Sequence, residues 1–417
     1  MNPSKARGRR SCFTPRISSC VFVFLVWFLW HHLPSPPVTQ NNTRADRPPP
    51  RYRVEDQPHF LYQSSFRESP DLQYESEISD ALESLAENVL AQSRGNDKSE
   101  ERIWQIASDD MMRGADSREF EARNSEWKYT LVDDKKATAF VTTELSAIPD
   151  IAAFFKSYPH NVLRADLLRY LLLWYYGGFY ADIDVFPARS IKTCPALQPF
   201  FPRAKDHGED ILPNLSLVVG VEVDEPYALP QFMRDWHWTR SYGLIQYTMY
   251  APRRFSPLLR EVIVRVLSHT RQHNERYGGL FHSARYDEKA ILGVTGPDVF
   301  TDAILETLSS TLPSNHPLIQ QSVAADSGIN DLVSPITGDV EERVSWAPFH
   351  RLQDPVCVQD SEGLYGASNG GLCVLPISVW GNGQRHSKAG GFNDFDACIN
   401  HRFGRTWKKG WWEYVFG

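Results

Sequence analysis

The sequence has no CxxC pair, no internal repeat, no basic run beyond its first residues and no long apolar run after residue 33. Each absence removes a class of protein. Without paired cysteines at metal-binding spacing, a structural zinc site is set aside. Without a basic stripe, a formal net charge of −7 over 417 residues gives no electrostatic footprint for nucleic acid, and no nucleic-acid partner is expected. Without a second apolar run, everything after residue 33 stays on one side of any membrane. What is present fits a globular chain: 42% of residues are hydrophobic, 12% are aromatic and 12 are Trp, which excludes wholesale disorder. The length suffices for one large domain or two small ones.

The strongest targeting signal lies at the start. Lys5, Arg7, Arg9, Arg10 and Arg16 precede ISSCVFVFLVWFLWHHL, from Ile17 to Leu33. A secretory signal peptide competes with a short membrane span here. Trp, His and Pro follow where a cleavage site needs small residues, which favours an uncleaved signal anchor. Basic residues before the span put residues 1–16 in the cytoplasm as a tail, and the rest in a lumen. A short, Phe-rich span suits the thinner membranes of the early secretory pathway. In that oxidising setting Cys194, Cys357, Cys373 and Cys398 are free to pair in any of three ways. Sequons at Asn41 (NNT) and Asn214 (NLS) agree with lumenal exposure.

Residues 34–100 read as a stem. Its first part, PSPPVTQNNTRADRPPPRYR, cannot bury a core and favours extended chain. Its last part, SEISDALESLAENVLAQ, spaces Ile78, Leu82, Leu85 and Val89 along one helical face, and a stem helix leaning on the domain is favoured over a short coiled coil. From residue 101 onward, ERIWQIA and WKYTLVDD read as strands, AAFF and NVLRADLLRYLLLWYY as helices, SLVVGVEVD as a strand, and PLLREVIVRVLSHTRQH and DVFTDAILETL as helices. That alternation argues an α/β fold.

One stretch carries the chemistry. In YYGGFYADIDVF, Gly177 supplies the left-handed residue that ends a helix, and Gly178 lets the chain reverse closely. Strand alternation then places Phe179, Ala181, Ile183 and Val185 on one face, with Tyr180, Asp182 and Asp184 on the other. Two carboxylates on one side repel unless a cation meets them. Their hard oxygens suit Mg²⁺ or Mn²⁺, which keeps positions open for a substrate diphosphate. An Asp-x-Asp alone is an ordinary surface feature; the apolar frame and the Gly-Gly pair set this one apart.

VLRADLLRYLLLWYYGGFYADIDV resembles the core signature of glycosyltransferase family 32, specifically its fungal initiation-specific α-1,6-mannosyltransferase group. RIWQ, WKYTLVDD, SLVVGVEVD, VTGPDVFTDAI and NHRFGRTWKK agree in order, so the resemblance covers residues 101–410 in patches. It implies a GT-A domain, Rossmann-like and lumenal, over residues 101–417. It also implies a Mn²⁺-dependent retaining transfer of mannose from GDP-mannose to a mannose-containing N-glycan or glycoprotein. The implied setting is the Golgi membrane, in single-pass type II orientation, with the subunits of a mannosyltransferase complex as further partners.

By motif position the resemblance makes Asp182 and Asp184 metal and catalytic residues, and His401 a third metal ligand. It places Trp104, Asp133, Asp134, Arg164, Asp166, Arg169 and Lys408 around the donor, and Glu222 and Asp224 near the acceptor or reacting sugar. Asp166 and Arg169 are spaced to pair on the helix surface. Two departures stand out: Arg405-Thr406 where relatives carry Gly-Ser, and Asp298 after TGP. The missing C-terminal spans of related sphingolipid mannosyltransferases favour a glycoprotein or polysaccharide acceptor. A non-catalytic pseudo-glycosyltransferase subunit is the alternative reading. A haloacid-dehalogenase-like phosphohydrolase is weaker, because GDVEER at 338–343 is a poor second acidic motif for it.

Overall fold

The computed structural model describes residues 64–201, 214–279, 284–326, 330–334, 338–362 and 368–402. The expected anchor, most of the Pro-rich stretch, Asn41 and Lys408 lie outside these. Among the described residues no helix is long and apolar enough to cross a membrane. Asn214, the other sequon, is exposed.

The first described helix, α1 (Leu72–Gln92), buries Tyr74, Ile78, Leu82 and Ala86; of the predicted stripe Ile78 and Leu82 are buried, while Leu85 and Val89 are half-buried against the core. That stripe is built into the main hydrophobic core rather than leaning on it: Leu82 is wholly buried there. A charged tie adds to the packing. Glu75 accepts from Arg67 at 2.6 Å and from Ser268 at 2.8 Å, and Arg265 meets Glu306 at 2.8 Å. Helix α1 therefore shares one hydrophobic core with the elements that follow residue 101.

Strands β1 (Arg102–Ile106) and β2 (Lys128–Val132) pair in parallel, and β3 (Gly178–Ala181) pairs in parallel with the other side of β1. Between them come α2 (Asp134–Thr143) and α3 (Asn161–Tyr176), in the β-α-β alternation the sequence shows. Strand β4 (Val185–Pro187) leaves this sheet. The second half contributes β5 (Leu217–Asp224), β6 (Tyr242–Leu244), β7 (Thr248–Ala251), β8 (Val356–Val358) and β9 (Leu372–Leu375). The sheet order is β2-β1-β3-β7-β5-β9-β8, with β6 branching from β5. Strand β9 is parallel to β5, whereas β7 is antiparallel to both β3 and β5, so the sheet is mixed. Helices α4 (Pro230–Trp236), α5 (Pro257–Tyr277) and α6 (Pro297–Thr311) complete the elements used below.

Alternation along the strands feeds apolar packing on both sheet faces. Ile103 and Phe179 join Phe120 and Trp127 on one side, while Trp104 and Tyr180 join the helical core on the other. The Gly-Gly junction works as its residues imply. Gly177 and Gly178 have φ of 65° and 97°, and a Cβ on Gly178 would sit 2.6 Å from the Arg102 carbonyl oxygen. Only glycine lets α3 run straight into β3 at that approach.

The far end of the chain returns to the site. Strand β10 (Ile399–His401) pairs antiparallel with β4, setting His401 opposite Val185. A disulfide joins Cys194 to Cys398 across 204 residues of sequence, and the Cys398 carbonyl accepts from the backbone N–H groups of Ala188 and Arg189. A second disulfide joins Cys357 and Cys373 on the paired strands β8 and β9. Of the three pairings open in the sequence, the structure selects the one that staples the C-terminal strand beside the acidic motif.

Candidate active site

Asp182 and Asp184 are not on a strand. Pairing ends at Ala181 and resumes at Val185, and the acids occupy the intervening turn, closed by the Val185 N–H donating to the Asp182 carbonyl at 3.2 Å. The acids meet because the chain turns, not because strand alternation aligns them. Ile183, expected in the core, is half-buried and lines the cavity instead. Remote backbone contacts hold the turn. The Asp182 N–H donates to the Tyr247 carbonyl at 2.9 Å, and the Gln105 side-chain amide donates to the Asp182 carbonyl at 2.9 Å.

His401 completes the cluster. Its Nε2 lies 3.0 Å from Asp184 Oδ1, and its ring stacks on Tyr247 at 4.2 Å with planes 12° apart. Ligand atoms of Asp182, Asp184 and His401 all fall within 4.8 Å of one another. Two carboxylates and an imidazole at this separation match the donor set of a divalent transition ion such as Mn²⁺. The residues present therefore fit the metal that the motif implies.

The charges around the turn are arranged in layers. Arg169, buried on α3, reaches Asp166 at 3.0 Å and Asp182 at 3.3 Å, with its guanidinium 5.2 Å from the Tyr180 ring centroid. Tyr180 donates its hydroxyl to Asp182 at 2.6 Å, and Thr295 donates to Asp166 at 2.8 Å. The expected Asp166–Arg169 pair thus forms, but inside the protein rather than on the helix surface. Burial pushes the Asp166 carboxyl up to about 6 against the pull of Arg169. Burial likewise raises Asp182, with Arg169 opposing it. For Asp184 burial also pushes upward, but the His401 hydrogen bond and charge outweigh it and leave its carboxyl below the usual range.

A cavity of about 1250 Å³ opens over this turn. Asp134 and Arg164 line it, as do Arg169, Glu222, Asp182, Asp184 and His401. Burial pushes the Glu222 carboxyl up to about 7, and no described residue hydrogen-bonds that carboxylate. Four of the residues assigned from sequence lie outside the lining. Asp133 caps α2 by accepting from the Lys136 N–H. Trp104 donates its indole N–H to the Gly177 carbonyl at 2.9 Å and stacks on Tyr176, which fixes the helix-to-strand junction. Asp166 acts through Arg169. Asp224 is buried and turned to His350 at 2.7 Å and to the Arg351 N–H at 2.8 Å, away from the cavity.

Several residues that build the site have no assigned role in the sequence, although Gln105 and Thr295 lie within the RIWQ and VTGPDVFTDAI patches that carry the resemblance. Gln105, Tyr247 and Thr295 come from three separate segments, and only the fold brings them to the turn. Arg402, directly after His401, pairs with Asp116 at 2.9 Å and covers the Phe186 ring, fastening the end of β10 to the other side of the cavity.

Residues 59–201, which contain the acidic turn, match the family model described as "Glycosyltransferase sugar-binding region containing DXD motif". The chain is 23% identical over 388 residues to the initiation-specific alpha-1,6-mannosyltransferase of Saccharomyces cerevisiae, covering 74% of this chain and 77% of that one. It is 26% identical over 290 residues to the enzyme of the same name from Candida albicans, covering 69% of this chain and 65% of that one. Among solved structures, the PaToxG Glycosyltransferase aligns at a TM-score of 0.34 and 15% identity, covering 63% of this chain and 87% of that one. With a DXD turn, a histidine in ligand range and a cavity above them, residues 59–201 match the DXD-containing glycosyltransferase sugar-binding region, and the chain is similar to the fungal initiation-specific α-1,6-mannosyltransferases.

Proposed function

We propose that the chain is a GT-A-type mannosyltransferase of the Golgi membrane. It moves mannose from GDP-mannose to a mannose-containing N-glycan or glycoprotein, with retention of configuration and with Mn²⁺ as the metal. The observation that carries this reading is the convergence of Asp182, Asp184 and His401 on one point of the cavity floor, where their ligand atoms lie within 4.8 Å of one another. The names of the fungal relatives supply the sugar, and the basic tail before residues 17–33 supplies the type II orientation.

Asp182, Asp184 and His401 would hold the ion, which when bound supplies Lewis-acid neutralisation of the diphosphate. The chain's own residues do the positioning. Arg169 and Tyr180 hold the Asp182 carboxylate in place, and Tyr247 fixes the plane of the His401 imidazole. Asp134, at the start of α2, and Arg164, on α3, line the cavity and would face the nucleotide. In the reaction the acceptor hydroxyl oxygen bonds to the anomeric carbon. The bond from that carbon to the diphosphate oxygen breaks, its electron pair leaves with GDP, and the hydroxyl proton goes to the departing diphosphate. Glu222 lines the same cavity, where its ionised form would stabilise positive charge developing on the sugar ring.

Chelation tests the reading. Purified enzyme treated with EDTA and desalted is expected to lose GDP release from GDP-mannose and to recover it on adding MnCl₂. Transfer that continues undiminished after chelation would refute the metal-dependent reading.

A further inference from the structure

The cavity has a second end that the acidic turn does not occupy. At the end of α4 the chain passes through a left-handed His237, which brings the rings of Trp236 and Trp238 together, 5.7 Å apart with planes at 23°. Both indoles meet His386 edge-on, at 4.8 and 4.5 Å, and Phe232 lies 5.5 Å from Trp238 while staying 37% exposed. Trp236, Trp238 and His386 all line the cavity and are half-buried. Apolar aromatic surface kept at the mouth of a polar cavity is disfavoured in water unless a ligand covers it.

A carboxylate stands beside these rings. Thr239, the next residue, donates its hydroxyl to Asp298 Oδ2 at 2.5 Å, and Asp298 lines the same cavity from the first turn of α6. Arg240 follows and pairs with Asp302 one turn further along α6, so the aromatic segment is fastened to α6 at two successive residues. Asp298 is the acid that departs from the family pattern after TGP, and here it has a place. Flat indole faces flanked by a carboxylate acceptor match a hexopyranose, which presents a C–H face to an aromatic ring and donates hydroxyls at its edge.

Sheet order decides which sugar. Asp134, Ala107 and Ser108 line the cavity from the β1–β2 edge, whereas Trp236, Trp238 and Thr239 line it from the segment between β5 and β6. The acidic turn follows β3, which lies between these two halves of the sheet. With the nucleotide on the β1–β2 side and the diphosphate at the turn, the aromatic end is left for the second substrate. We propose that Trp236, Trp238 and Asp298 form the subsite for the acceptor's sugar ring. This rests on the glycosyl-transfer reading above.

The test uses the purified full-length chain with GDP-mannose, Mn²⁺ and methyl α-D-mannopyranoside as the acceptor probe. Trp238→Ala is expected to raise the acceptor KM by about tenfold while the donor KM moves by less than about twofold. Trp238→Phe should recover most of the loss, since it keeps a flat ring. Asp298→Asn should raise the acceptor KM by about tenfold as well, through loss of a charge-assisted hydrogen bond. Tyr277→Ala, which removes an exposed aromatic outside the cavity lining, should change neither constant.

An unchanged acceptor KM in Trp238→Ala, or a rise confined to the donor KM, overturns the proposal; the latter would assign the rings to the nucleotide. If the wild-type chain neither binds GDP nor releases it from any nucleotide sugar, the glycosyl-transfer reading falls on its own. The subsite is then judged by tryptophan fluorescence: quenching by the mannoside that disappears in Trp238→Ala supports it, and no quenching in the wild type refutes it.

Discussion

Asp184→Asn is expected to lower transfer on the order of 10²- to 10³-fold in kcat while leaving the melting temperature close to that of the wild type. The substitution keeps the volume of the side chain and an oxygen that accepts from His401 Nε2, now 3.0 Å from Asp184 Oδ1. What it removes is charge. Of the two acids, Asp184 is the one whose carboxyl lies below the usual range, through the hydrogen bond and charge of His401 acting against burial. Steady-state kinetics paired with a thermal melt separate the two effects, and a folded variant with wild-type rates would contradict the role given to Asp184.

The second large effect is on stability. Arg169→Met is expected to destabilise the domain by about 3–5 kcal/mol, the range for breaking a buried ion pair by removing one partner. The side chains of Arg169 and Asp166 are 6% and 2% exposed, so the acid left behind finds no water to solvate it. Asp182 loses its cation at the same time. The double variant Asp166→Asn with Arg169→Met removes the stranded charge and should regain much of the stability, but not the activity, because Asp182 is still without its partner. Denaturant unfolding of the single and double variants, with transfer measured alongside, checks this. Equal stability for the single and double variants would show that Asp166 is not the source of the loss.

How far the sequence reached depended on the range of the interactions. Helix α3, the Gly-Gly reversal and β3 were legible in the order of residues, because each follows from local spacing and from the left-handed backbone that glycine permits. The break of the strand at Asp182 was not. It is set by Tyr247 and Gln105, which arrive from other segments to take the hydrogen bonds of the turn. The same limit applies to acids judged by spacing alone. Glu222 and Asp224 are equivalent in a pattern two residues apart, yet one lines the cavity and the other is turned away to His350 and Arg351.

The histidine shows the opposite case. His401 stood out only through the resemblance, since a lone imidazole far down the chain has no local signature. Its placement beside Asp184 is produced by the β4–β10 pairing and by the Cys194–Cys398 disulfide, and pairing among four cysteines has no sequence rule. Trp236 and Trp238 carried no motif at all. They became informative when the fold set them in the cavity that holds the DXD turn. The helix read over residues 76–92 starts earlier, at Leu72, and only packing against the domain shows that it belongs to the core.

The most direct measurement is release of nucleoside diphosphate by the purified chain from a panel of GDP- and UDP-sugars, with Mn²⁺ and a mannoside acceptor. Turnover of GDP-mannose is expected, with formation of a mannosyl product, and its loss in Asp184→Asn. A folded wild-type chain that turns over none of the nucleotide sugars would contradict the assignment of the acidic turn to glycosyl transfer.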